Sequence, residues 1–389
     1  MKITSTIILG ISTLLSFNTL ALDKKALEKF SQYDNNSDFV IIYDDVDTLL
    51  QASVLYMGNS TRQQAKQSKP SIGTRLKNRV KPLTALEGNR FFYETFDTPE
   101  KIALISNIRK SLEQLPTDSP LHFFSKDEQL AYWLNLYNLS LIEQLVQIYP
   151  KKNIQSLIED DSILAKKHLS VANEKLSLND IKAIVINNFG YDPLLIYGFH
   201  QGNIASPDIR TKAYTGKKVW NSLKRNANVF INSNRGIFSD DKSSIRVSYL
   251  YEQNKAFFKD FDADLKEHLA KYLLRSYKDK LLAATSINPN IKNWNIADLY
   301  GTTRVYGGSV ATNSAALIDA FVSAPGDAYM NTGAMNANIS EYSPLRTRLS
   351  TEQMDKMMAL MKVQELRKGT VTINDDEEEI EENVESQEK

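Results

Sequence analysis

A chain of 389 residues with 42% hydrophobic content has material for a sizeable core, and its complete lack of cysteine excludes disulfide staples, thiol catalysis and thiolate metal sites together. Its 47 Lys and Arg balance its 47 Asp and Glu, but residues 375–389 hold nine of the acids against Lys389 alone, so the body is mildly basic and the tail strongly acidic. The basic residues form no aromatic-interleaved stripe and no nucleic-acid motif, so nucleic acid is not an expected partner.

In chain order, Met1-Lys2, the uncharged apolar run Ile7–Phe17 and the small-residue site Thr19-Leu20-Ala21 have the order of a secretory signal (residues 1–21). The run is shorter than the roughly 20 residues a bilayer span needs. Cleavage near Ala21, export from a bacterial cytoplasm and a periplasmic or secreted mature chain with no transmembrane segment are therefore expected. Residues 22–118 read as helices broken by polar loops. One of these, Arg62 to Gly73, is dense in Gln, Lys, Ser and Pro and reads as an exposed excursion whose basic residues are solvated.

Ser125 and Glu128 have capping-box spacing and open a helix. From Gln129 to Ile142 it carries no formal charge and is apolar on nearly every face, the signature of a buried helix. Asn135 and Asn138, three apart, share one of its faces. An unpaired buried amide costs about 1–3 kcal/mol, so both need fixed partners. Ser177 and Asp180 open another helix, which Gly190 stops. Asp192-Pro193 then breaks the chain, and Leu194–Phe199 reads as a short buried strand that delivers His200, Gln201, Gly202 and Asn203 into a polar loop. Thr215 is placed to cap a helix carrying Val219, Trp220, Leu223, Ala227, Phe230 and Ile231.

Asn234-Arg235-Gly236 is a turn, and Ile237-Phe238 with Ile245 and Val247 suits a small hairpin. Asp262–Ala284 reads as one long helix, followed by Trp294, which with Trp133 is a core candidate. Gly301–Tyr342 shifts to small polar residues, giving loops with one short helix near Ala315–Val322. Ser350 and Gln353 open a last helix whose Met354, Met357, Met358 and Met361 form a core-facing stripe. The self-repelling tail, residues 369–389, reads as disordered. The expected fold is α+β, helix-rich with a small buried sheet and one short hairpin, organised as residues 22–118, a core domain over 119–300, a loop and helix region over 301–368, and the tail.

The segment Ala131-Tyr132-Trp133-Leu134-Asn135-Leu136-Tyr137-Asn138 resembles the hallmark helix of the bacterial and plant family known as domain of unknown function 547. Ser177-Leu178-Asn179-Asp180-Ile181, Asp192-Pro193, Gly202, Pro207, Tyr214 and Trp294 follow in the family's order, so the resemblance covers roughly residues 120–300. It implies a His in the strand after Asp-Pro, a Cys before the Gly and a Cys before the Pro; here those positions hold Ile196, Gln201 and Ser206. It thus supports the fold and argues against inherited thiol chemistry.

Of the four histidines, His122, His168, His200 and His268, none has a recognised ligand spacing, so neither a metal nor another cofactor is expected. His268, among Lys266, Glu267 and Lys271, reads as a solvated surface group, and His122 as a packing residue. His200 and Ser206 are candidate base and nucleophile, with Asp192 or Asp208 as orienting carboxylate, although no G-x-S-x-G elbow is present. Asn135, Tyr137 and Asn138 either fix the packing of their helix or line a cleft with Asp192, Gln201 and Gly202. The first expectation is a non-catalytic exported protein that binds a small ligand or an envelope protein in a cleft between the Asn135/Asn138 helix and the His200–Ser206 loop. The alternative is a papain-like or serine-type hydrolase using His200 with Ser206. Hydrogen-bond reach between those two in an open pocket favours the hydrolase, whereas a separation beyond about 8 Å excludes it.

Overall fold

The computed structural model describes residues 24–64, 82–160, 162–239, 243–299, 345 and 347–368. The signal, the excursion beyond residue 64, Gly301–Tyr342 and the acidic tail lie outside the described residues. The chain begins with α1 (Lys24–Lys29), α2 (Asp44–Ser53), β1 (Val54–Leu55), β2 (Arg90–Phe91), α3 (Pro99–Asp118) and α4 (Lys126–Ile148). It continues with α5 (Gln155–Glu159), β3 (Leu169–Val171), β4 (Glu174–Leu176), α6 (Leu178–Phe189) and α7 (Val219–Ile231). The remaining described elements are β5 (Ile237–Phe238), β6 (Ser244–Ser248), α8 (Tyr249–Gln253), α9 (Phe261–Tyr272), α10 (Arg275–Ala283), β7 (Ser286–Ile291) and α11 (Thr351–Lys368). The fold is α+β and helix-rich.

α4 is the central element: Leu130–Tyr137 are all buried, including both faces of its aromatic segment, as a helix without a polar stripe must be. α3, α6 and α7 pack around it. Ser125 accepts from Glu128 N at 3.3 Å, but the expected capping box is only half made. Glu128 turns inward instead and accepts from Ile41 N and Gly216 N, both at 3.0 Å. Two distant loops with unsatisfied amides outbid the local bond. Burial raises the Glu128 carboxyl above its ordinary range, and the two amides oppose that. On the other flank, Arg109 of α3 donates to Glu143 of α4 and pairs with Glu113 at 2.6 Å.

α6 carries a complete capping box between Ser177 and Asp180 and ends at Gly190, whose φ of +72° suits glycine. Leu194–Phe199 is not a strand. Asp192 accepts from Leu194 N at 2.9 Å and Pro193 supplies a preset φ, so the chain winds into a 3-10 helix over Pro193–Gly198. Its residues from Leu194 to Gly198 are all buried, which is why an apolar run of this length reads equally as strand or helical turn. Thr215 does not cap α7 through its side chain; a 3-10 turn, Gly216–Lys218, precedes the helix.

The expected hairpin forms, with Ile237 opposite Val247, and β7 joins β6 in parallel to complete a three-stranded sheet. A second hairpin, β3–β4, was not evident: its turn puts Ala172 (φ 47°) and Asn173 (φ 68°) in the left-handed region, and alanine gives no such signal. Asp262–Ala284 is two helices, α9 and α10. Asn232 holds the break, donating to Tyr272 O and accepting from Leu274 N, both at 2.9 Å, so the orphaned backbone groups at the interruption are satisfied. Arg62 is not solvated: it donates to Ile237 O at 2.7 Å and Ile231 O at 3.2 Å and lies 3.7 Å over the Tyr277 ring.

Ser350 caps α11 through Gln353 N, but the Gln353 carboxamide donates to Asp38 O rather than returning to its own helix start. Of the methionine stripe, Met357 is fully buried, Met354 and Met361 pack against the core, and Met358 is exposed. Arg348 binds Asp45 through two parallel bonds of 2.7 and 2.8 Å, tying the segment before α11 to α2. One hydrophobic cluster runs from Ala26 to Met357. No described helix is long and apolar enough to cross a membrane.

Because Glu128 satisfies two buried amides, Glu128→Ala leaves both without an acceptor. The expected loss of folding stability is about 2–4 kcal/mol, read as a lower urea midpoint with unchanged slope. A loss below about 1 kcal/mol contradicts the bridging role assigned to Glu128.

Candidate functional site

Two side-chain amides of α4 suspend the loop that follows the 3-10 helix. Asn138 donates to Gly198 O at 2.8 Å and accepts from His200 N at 3.0 Å. Asn135 exchanges a matched pair with Tyr214, Nδ2 to O and N to Oδ1, both at 2.8 Å. Both amides therefore have fixed partners, and the loop from His200 to Tyr214 is pinned at each end. Gly198 fits because a Cβ there would lie 2.7 Å from Leu134 Cδ2. Gly202, at φ +77°, has Leu145 Cδ1 only 2.2 Å from its would-be Cβ, and its carbonyl accepts from Ala297 N at 2.8 Å. Its role is close approach. Asp192 is a helix cap, and Tyr137 is fully buried, edge-on to Phe199 at 4.8 Å.

Ser206 Oγ lies 3.1 Å from His200 Nδ1, inside hydrogen-bond reach. The pocket, however, is closed: His200 is 3% exposed and Ser206 1%. Nδ1 is also 2.6 Å from Pro207 O, which only accepts, so that nitrogen carries the proton and donates it. Ser206 Oγ in turn donates to Asn203 O at 2.7 Å. The free imidazole lone pair is then on Nε2, which is buried and without a partner among the described residues. Neither expected carboxylate orients the ring, since Asp208 accepts from Arg235 at 2.8 Å and from Asn89 N at 2.9 Å. Arg235, 2% exposed, also donates to Ser206 O and so holds the loop from beneath. Burial pushes the His200 imidazole down to about 4, and the group is neutral at pH 7.

The loop separates two clefts. The first, of about 380 Å³, has an apolar floor of Val46 and Leu50 from α2 and Leu139 and Ile142 from α4, with Asn135, Asn138 and the Asp208–Arg210, Lys212 and Tyr214 stretch on its walls; the Asp208 carboxylate there is already paired with Arg235. Arg210 donates to Lys212 O and Asn226 Oδ1 and stacks 4.7 Å over Tyr214. Nearby Asp47 is half-buried and accepts from Ala213 N at 2.7 Å; burial raises its carboxyl, against that amide and the charges of Lys212 and Arg210. The second cleft, of about 210 Å³, lies between Gln201, Asn203 and Ala205 on one side and the Ser248–Gln253 and Ile291–Trp294 segments on the other. The expected single cleft is thus divided: Asn135 and Asn138 line the first, Gln201 lines the second, and the Ser206 turn lies between. No group of three or more His, Asp or Glu among the described residues is arranged to hold a metal ion.

Residues 121–231 match the family described as "Protein of unknown function, DUF547". The match starts just before α4 and ends with α7, so it contains both asparagine anchors, the 3-10 helix and the whole His200–Tyr214 loop. It is shorter than the expected span, since Trp294 and the far wall of the second cleft lie beyond it. No curated protein and no solved structure matches the chain.

Within the matched segment, sequence reading placed Asn203 in the polar loop without assigning it a role and missed Arg210 and Lys212, which carry no motif. Outside it, Lys292 was missed for the same reason. His268 was misread: it is 6% exposed, with Nε2 2.9 Å from Tyr197 Oη, which is itself 3.1 Å from Tyr251 Oη. The signal was available, because His268 shares a helical face with buried Leu265, three residues earlier.

His200 and His268 are both pushed down to about 4 by burial, from an unfolded value near 6.5. Between those values the unfolded chain binds more protons, so this stability is present above about 6.5 and lost as pH falls toward 4. The raised carboxyls of Asp47, Glu113 and Glu128 act with the opposite sign and flatten the total curve. A comparison with His200→Gln removes their contribution. On acidification from pH 7 to pH 4, wild type is expected to lose about 3 kcal/mol more stability than the variant. Parallel pH–stability curves contradict a buried neutral His200.

Proposed function

We propose that this is an exported, non-catalytic binding protein whose first cleft takes an amphipathic ligand with an apolar body and an anionic head. The observation that carries the reading is the pairing of the apolar floor with Arg210 and Lys212 at its edge, neither of which has a carboxylate hydrogen-bond partner among the described residues. A guanidinium already fixed by Lys212 O, Asn226 and the Tyr214 ring is preorganised, so little rotamer entropy remains to be lost when it meets a carboxylate. Export rests on the order of charge, apolar run and small residues over Met1 to Ala21.

The hydrolase alternative requires Ser206 to give its proton to an imidazole lone pair and to meet a substrate. Its proton is directed at Asn203 O, the lone pair is on the far nitrogen, and both side chains are buried. The same bonds have a structural use, because they close the turn that puts Asp208 to Tyr214 along the first cleft.

Titration calorimetry with decanoate is expected to give saturable binding that Arg210→Gln weakens about tenfold. Leu50→Phe, which fills the floor, is expected to abolish it, and decanol, lacking the charge, is expected to bind less tightly than decanoate. Absence of saturable decanoate binding, or indifference to both substitutions, overturns the reading. Ester hydrolysis by wild type that Ser206→Ala abolishes establishes the alternative.

A further inference from the structure

The second cleft is bounded by groups that donate and have nothing to donate to. Asn203 is 3% exposed, and its Nδ2 is buried without an acceptor among the described residues. The same holds for Nε1 of Trp294. Ser248 Oγ accepts from Leu250 N at 3.2 Å, which leaves its hydroxyl proton free of any acceptor among the described residues. The other amides at the cleft are already committed: Gln201 donates to Gln253 at 3.2 Å, and Asn293 donates to Thr84 and accepts from Asn295 N. No Asp or Glu lines the cleft. Its one charged residue is Lys292, exposed, with Nζ held 3.5 Å over the Tyr249 ring, and that ring meets Trp294 edge-on at 6.3 Å.

An unmet buried donor is costly, and two such donors, on two residues that line one cleft beside a cation, recover that cost when an anionic acceptor reaches them. The walls are built before any ligand arrives. Backbone bonds from Ile204 N to Asn295 O at 2.9 Å, Ala205 N to Asn293 O at 3.3 Å and Ala297 N to Gly202 O at 2.8 Å strap the loop to the segment that carries Lys292 and Trp294. The geometry points to a second binding site, for a small carboxylate with a short, flat apolar body. Its carboxylate takes the Asn203, Trp294 and Ser248 donors under the Lys292 charge, and its body lies against Tyr249.

Benzoate titrated into the full mature chain tests this site by NMR of the tryptophan indole N–H groups. Of the three, only Trp294 lines the cleft, whereas Trp220 already donates to Asp127 at 2.9 Å and Trp133 is fully buried in the core. The expected result is a saturable downfield shift of the Trp294 indole proton alone. Lys292→Gln, an exposed substitution that leaves the fold intact, is expected to weaken it about tenfold. Asn203→Ala is expected to weaken it comparably, benzyl alcohol to give no saturable shift, and Arg210→Gln, which acts only at the first cleft, to leave it unchanged. An unmoved Trp294 indole, a linear shift without saturation, or equal affinity in Lys292→Gln overturns the inference.

Discussion

Asn135 and Asn138 put primary amides on the inner face of a helix that is otherwise apolar, and each amide does for a loop what a neighbouring strand does for a strand: it supplies one donor and one acceptor to the backbone. The cost of burying an amide makes the arrangement specific, because any other docking of the His200–Tyr214 loop leaves those groups and four backbone groups unpaired. Glu128 extends the same logic two turns earlier, binding two amides that its own helix does not use. α4 is thus both the core of the fold and the peg on which its polar loop hangs.

The anchoring decides what the loop can do. With its ends fixed, the turn between them closes through His200, Asn203, Ser206 and Pro207, and Arg235 fills the space beneath. A serine and a histidine 3.1 Å apart therefore brace the turn that they share. The loop's two outer faces remain open to other groups. One meets α2 and α4 across an apolar floor, and the other meets the Ile291–Trp294 segment across a lining rich in donors. Two clefts with different linings are presented by a single stretch of about 15 residues.

What the sequence made legible was whatever is encoded locally. The start of α4 at Ser125, the Ser177/Asp180 box, the stop at Gly190 and the Ile237–Val247 pairing each depend on residues a few positions apart. What escaped was set from a distance. The break between α9 and α10 is held by Asn232, some forty residues earlier, and Glu128 is drawn away from its capping box by Ile41 and Gly216. Leu194–Gly198 carried no period that separates strand from helical turn, and the Asp192-Pro193 pair, read as a break, was in fact a start signal. At the candidate site, His200 and Ser206 were readable as candidates from residue type, but the 3.1 Å between them was not. Their protonation was not, because the Pro207 carbonyl fixes it.

Amide hydrogen exchange in Asn138→Leu tests the central claim most directly, since leucine keeps the volume of the side chain and removes both its bonds to the loop, with Gly198 O and His200 N. If Asn138 holds the start of the loop, the His200 amide is expected to exchange roughly tenfold or more faster, while the Tyr214 amide, held by Asn135, keeps its protection. Unchanged exchange at His200 contradicts the claim that the α4 amides position the loop.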